Sequence, residues 1–107
     1  MFDLANSVMR KFPQLPRSLA ESLMEKAMHI AVESRIQQTF AKYAGKNLSD
    51  AAPFRPKYGP LAAGNMFGQL DAYRKLNLLP DSITDDAEFV NDLVEIAKEW
   101  LDAEFFR

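Results

Sequence analysis

Apolar residues return at every fourth position from Ala20 through Met24, Met28, Val32, Ile36 and Phe40, with Leu19, Leu23, Ala27, Ile30 and Ala31 beside them. That spacing lines one side of a helix. The stretch from Ser18 to Tyr43 holds neither Gly nor Pro, and Ser18 followed three residues later by Glu21 has the form of a capping box. The pattern predicts one long amphipathic helix over about 18–43. Gly45 offers its C-terminal cap, and Lys42 and Lys46 suit the negative end of its dipole. A helix turns about 100° per residue, so a four-residue repeat overshoots a full turn by about 40° each time. The ridge therefore winds around the cylinder, and its second half, Met28, Val32, Ile36, Phe40 and Tyr43, takes over a side that was polar in the first half. At about 1.5 Å per residue this helix approaches 40 Å, whereas a domain of this size has a radius of gyration near 13 Å. The second half is expected to meet another surface, with a second copy of the chain as the expected partner.

Three further helices flank it. Phe2, Ala5, Val8, Met9 and Phe12 fall on one face of a short helix that Pro13 stops. Gln14-Leu15-Pro16 is then extended or turning, which folds the short helix back on the long one. Pro60 suits the first position of a helix over about 61–77, ended by Pro80. Gly64, Gly68 and Ala72 stand four apart on it as a ridge of small residues. A mid-helix Gly costs roughly 1 kcal/mol relative to Ala, so the ridge is expected to serve close helix packing against the long helix. The last helix spans about 84–105. Its acids Asp85, Asp86 and Glu88 suit the positive dipole end, and its buried stripe is Phe89, Leu93, Ile96, Ala97, Trp100 and Ala103, widened by Val90, Val94 and Leu101. Phe105 and Phe106 suggest a docked C-terminus. No stretch alternates as a half-buried strand does. The expected architecture is all-α: one four-helix domain over 1–107, with a long connection at 47–60.

Composition narrows the chemistry. Apolar residues make up 48% of the 107 residues, enough for a core without covalent staples. There is no cysteine, which removes disulfides, thiolate nucleophiles and sulfur-ligated metal sites. The early acid Asp3 and the lack of a long apolar run argue against a signal peptide, and no run is long enough to span a membrane. A cytoplasmic protein is expected. Charge is uneven: residues 1–60 hold nine Lys/Arg against five Asp/Glu, and residues 61–107 hold four against ten. Solvated helix faces that merely differ in sign are the plainer reading, and a polarity that orients a partner is the other.

No constellation for catalysis emerges. His29 is the single histidine, so multi-imidazole metal sites are excluded. Glu25, His29 and Glu33 share a face at i, i+4 and i+8, where a solvated polar stripe is the plainer reading. No nucleophile elbow and no Gly-rich phosphate loop is present. A helix-turn-helix reading of the Gly64–Gly68 region fails because Arg74 stands where a buried aliphatic residue is wanted. The loop 54–58, Phe54-Arg55-Pro56-Lys57-Tyr58, interleaves aromatics with cations in the manner of single-strand nucleic-acid binders, but the acidic isoelectric point, about 5.3, weighs against it.

The sequence therefore predicts a non-enzymatic helical interaction or regulatory protein, acting through protein–protein contacts as a homodimer and using no cofactor or metal. The residues expected to carry contact are Met28, Val32, Ile36, Phe40 and Tyr43 with Phe54, Arg55, Lys57 and Tyr58. A nucleic-acid-binding regulator using residues 54–58 is the alternative. An apolar-ligand binder with its pocket beside Gly64 and Gly68 is a second.

Overall fold

A computed structural model describes residues 3–43 and 58–105, with the side chains of residues 3 and 40–43 outside the description. Four helices follow in order: α1 (Asp3–Lys11), α2 (Arg17–Tyr43), α3 (Tyr58–Lys75) and α4 (Asp86–Phe105). No strand occurs among the described residues. The protein is all-α, as its periodicity predicts.

The central pair is α2 and α4, with α1 and α3 flanking them; α1 and α3 do not touch. Side-chain bonds set the directions. Gln69 on α3 reaches Ser22 while the first turn of α3 reaches Glu33, so α3 runs antiparallel to α2. Arg35 pairs with Asp102 at 3.6 Å, which lays the end of α4 beside the second half of α2. The axes extend over 53 × 26 × 19 Å, of which the 27 residues of α2 account for about 40 Å of length.

The core joins Leu4, Ala5 and Val8 of α1 to Leu19, Ala20, Leu23, Met24, Ala27 and Ala31 of α2. Met66 and Leu70 of α3 and Phe89, Val90, Leu93, Val94, Ala97 and Leu101 of α4 add to it. Phe12 meets Phe89 edge-on, with centroids 4.8 Å apart, in the geometry aromatic quadrupoles favour. Two turn residues, Leu15 and Ile83, are also buried, a role their positions outside any periodic segment did not announce.

Helix ends depart from expectation in instructive ways. The bond from Ala20 N to Pro16 O places the start of α2 one residue before Ser18. Ser18 is thus inside the first turn, and Glu21 pairs with Arg17 at 3.0 Å instead of reaching back to a cap. The nearby charge decides this: Arg17 also donates to Asn6 on α1, so Glu21 has a cation one turn away. Asp85 caps α4 by accepting from the Glu88 N–H at 3.1 Å. Helix α3 ends in a Schellman arrangement, with Leu78 N bonded to Tyr73 O and Asn77 N to Arg74 O. Asn77 supplies its left-handed residue, φ 59°. At the C-terminal end Phe105 touches Trp100 edge-on at 5.5 Å but is 65% exposed, so it lies against the helix rather than in the core. Phe106 lies outside the described residues.

Candidate interaction surface

The expected contact residues divide by position along α2. Helix α1 lies beside α2 from Arg17, through the Asn6 bond, to Met24 and Met28. There Leu4 and Ala5 help to line a groove of about 470 Å³. Met28 is half-buried and packs on the core. One and two turns further on, Val32 and Ile36 are 38% and 37% exposed. The winding of the ridge accounts for this: the stripe that starts under α1 rotates away from the bundle. Phe40 and Tyr43 belong to α2 but their side chains lie outside the described residues, as do Phe54, Arg55 and Lys57.

Tyr58 is brought to the same place by a contact the sequence did not disclose. Glu33, 8% exposed, turns inward between α2 and α3. Its Oε1 accepts hydrogen bonds from the backbone N–H of Tyr58 at 2.6 Å and of Gly59 at 2.9 Å. These are first-turn donors that a helix cannot satisfy internally. The first turn of α3 contains no acidic residue of its own, and a carboxylate at a helix N-terminus also meets the positive end of the dipole. A Cβ built on Gly59 would stand 3.5 Å from Glu33 Oε2 and 4.0 Å from the Cα of Ile30, ordinary contact distances, so the approach of the two helices does not depend on the glycine.

The polar-stripe reading of Glu25, His29 and Glu33 is thereby corrected, because Glu33 leaves the stripe to cap another helix. Among the described residues no three of His, Asp and Glu gather as metal ligands. The clue in the sequence is on the other helix: α3 begins at Tyr58-Gly59-Pro60 after Lys57, none of them a good capping side chain, so the cap has to come from elsewhere in the fold.

Four large side chains on the segments that this acid joins are partly exposed. Val32 precedes Glu33 and Ile36 follows it by three residues on α2. Tyr58, 61% exposed, and Leu61, 64% exposed, rise from the turn of α3 that Glu33 holds. From Tyr58 to Leu70 the helix carries no charged residue.

The small-residue ridge is a second correction. Gly64, Gly68 and Ala72 face solvent, and a Cβ on either glycine would meet nothing within 4 Å. Helix α3 packs inward through Gly59, Ala62, Met66 and Leu70 instead. These lie on the opposite side of the cylinder, and the larger apolar side chains there win the buried face. The ridge is not the crossing point with α2. Further along the α2–α3 seam, Ser22 Oγ accepts from both Lys26 Nζ and Gln69 Nε2 at 2.9 Å.

The opposite end of α3 is tied to α4. Arg74 donates through Nη1 to Asp86 Oδ2 at 2.9 Å and through Nη2 to Asp86 Oδ1, and it approaches the Ile83 carbonyl at 3.4 Å. These bonds hold the Asp86 carboxyl below the usual carboxylate range, against a smaller opposing effect of burial.

Fold and surface together define an all-α four-helix protein whose long helix leaves Val32 and Ile36 partly exposed beyond its midpoint. No helix among the described residues is long and apolar enough to cross a membrane. Neither a protein-family model, nor a curated protein, nor a solved structure matches the chain.

Proposed function

We propose that this chain is a non-enzymatic helical interaction protein of regulatory type, working through protein–protein contacts and pairing with a second copy of itself. One observation carries the reading: Val32 and Ile36 of α2 and Tyr58 and Leu61 of α3 are partly exposed large side chains on the two segments that Glu33 ties together. Each square ångström of apolar surface left in water forgoes about 25 cal/mol, and a contiguous apolar patch marks a contact surface more often than isolated residues do. Self-pairing is favoured because a two-fold interface brings the same patch together from both subunits. The α3 part of that face, which carries no charge from Tyr58 to Leu70, meets its own copy without like-charge repulsion.

Sedimentation equilibrium across the micromolar range tests this. The wild type is expected to show a concentration-dependent dimer, and Val32→Ser with Ile36→Ser is expected to return it to monomer with unchanged helical circular dichroism. A wild type that stays monomeric throughout that range refutes the pairing.

A further inference from the structure

We infer that the groove between α1 and the first half of α2 binds a small amphipathic amine, a molecule that joins an apolar body to a protonated nitrogen. The groove holds about 470 Å³, within the size range of pockets that take small ligands. Leu4 and Ala5 of α1 and Met24 and Met28 of α2 supply its apolar lining. The first three are core residues, at most 5% exposed, so the packing of α1 on α2 fixes the shape of the groove. The two methionines are unbranched and polarisable, which lets them adjust to an irregular apolar guest. The inference does not rest on self-pairing, because Val32, Ile36, Tyr58 and Leu61 do not line this groove.

The charged part of the lining decides what the head of the guest must be. It consists of Arg17, Glu21 and Glu25, one cation against two acids. Arg17 donates to Glu21 at 3.0 Å and to Asn6 at 3.2 Å, so the cation and one acid already answer each other. Glu25 stands exposed one turn further along α2, and among the described residues it has no hydrogen bond or ion pair. Carboxylates four residues apart on a helix repel each other, and a cation placed beside Glu21 and Glu25 relieves that repulsion. An alkylamine therefore complements both the apolar lining and its charge. A fatty acid of the same length would set a third carboxylate against the two.

Octylamine, octanol and octanoate share one apolar tail and differ in the charge of the head. Each is titrated into protein labelled on its methionine methyl groups and followed by NMR. Octylamine is expected to shift the Met24 and Met28 methyls saturably, while Met9 and Met66, which do not line the groove, stay in place. Each methylene added from butylamine to octylamine is expected to tighten binding about fourfold. Octanoate is expected to bind about fivefold more weakly than octylamine. Glu25→Gln, at an exposed position, is expected to weaken octylamine by about two- to fivefold and to leave octanol unchanged, with circular dichroism confirming the fold. Equal affinity for the three heads, an unchanged octylamine affinity in Glu25→Gln, shifts spread evenly over all four methionines, or no saturable shift at millimolar octylamine each overturns the inference. None of these results bears on self-pairing, which sedimentation equilibrium reads separately.

Discussion

Glu33 and Gly59 lie 26 residues apart in sequence and share a hydrogen bond of 2.9 Å, Gly59 N–H donating to Glu33 Oε1. With the 2.6 Å bond from Tyr58, this makes one buried side chain the N-terminal cap of a helix it does not belong to. Glu33→Ala removes both acceptor contacts and strands two first-turn donors, a loss of about 1–3 kcal/mol. Glu33→Gln keeps one acceptor oxygen and is expected to cost less. Urea denaturation of the three proteins measures the order.

Gly64 and Gly68 sit inside α3 with open space where a Cβ would point. Replacing either by Ala adds helix propensity and restricts the unfolded chain without a clash, so each is expected to stabilise by about 0.5–1 kcal/mol. The same urea series reads the gain. A loss of stability in either variant would mean that the ridge packs against something within the fold after all.

Asn77 holds a left-handed conformation, φ 59°, at the end of α3. Glycine adopts that conformation without the steric cost an L side chain meets, and a branched residue meets the most. Asn77→Gly is expected to raise the thermal midpoint, Asn77→Val to lower it, and differential scanning calorimetry separates the two.

Acid should weaken the α3–α4 junction through Asp86. Its carboxyl is held below the usual range, chiefly by the hydrogen bonds from Arg74. A depressed carboxylate contributes stability that is fully present above its unfolded pKa, about 3.9, and is lost as pH falls through its lower folded value. Arg74→Gln is therefore expected to be less stable than wild type at neutral pH and to converge on it in strong acid. The pair is partly exposed, with side-chain exposures of 43% and 24%, so salt should shrink the difference as well. Urea midpoints from pH 7 to pH 2 at two ionic strengths check both trends.

The periodic segments determined a good deal without help. Four helices, the long second one and the inward residues Val8, Leu23, Ala27, Phe89 and Leu93 follow from spacings of three and four, because a helix is built from contacts within one turn. The outward drift of Val32 and Ile36 follows too, since it is a rotation of the same short-range repeat. The candidate surface was legible to that extent: its α2 half could be read from the chain, along with the expectation that Tyr58 belongs with it.

The tertiary structure alone decided the rest. It chose which side of α3 is buried, setting Met66 and Leu70 inward and Gly64, Gly68 and Ala72 outward, a choice that depends on what α2 and α4 offer rather than on α3 itself. It recruited Leu15 and Ile83 from turns, where no period marks them. It also took Glu33 from an apparently solvated stripe and gave it to the start of α3. That bond satisfies amides 25 and 26 residues away, and a partnership of that span becomes visible only when two helices are laid side by side.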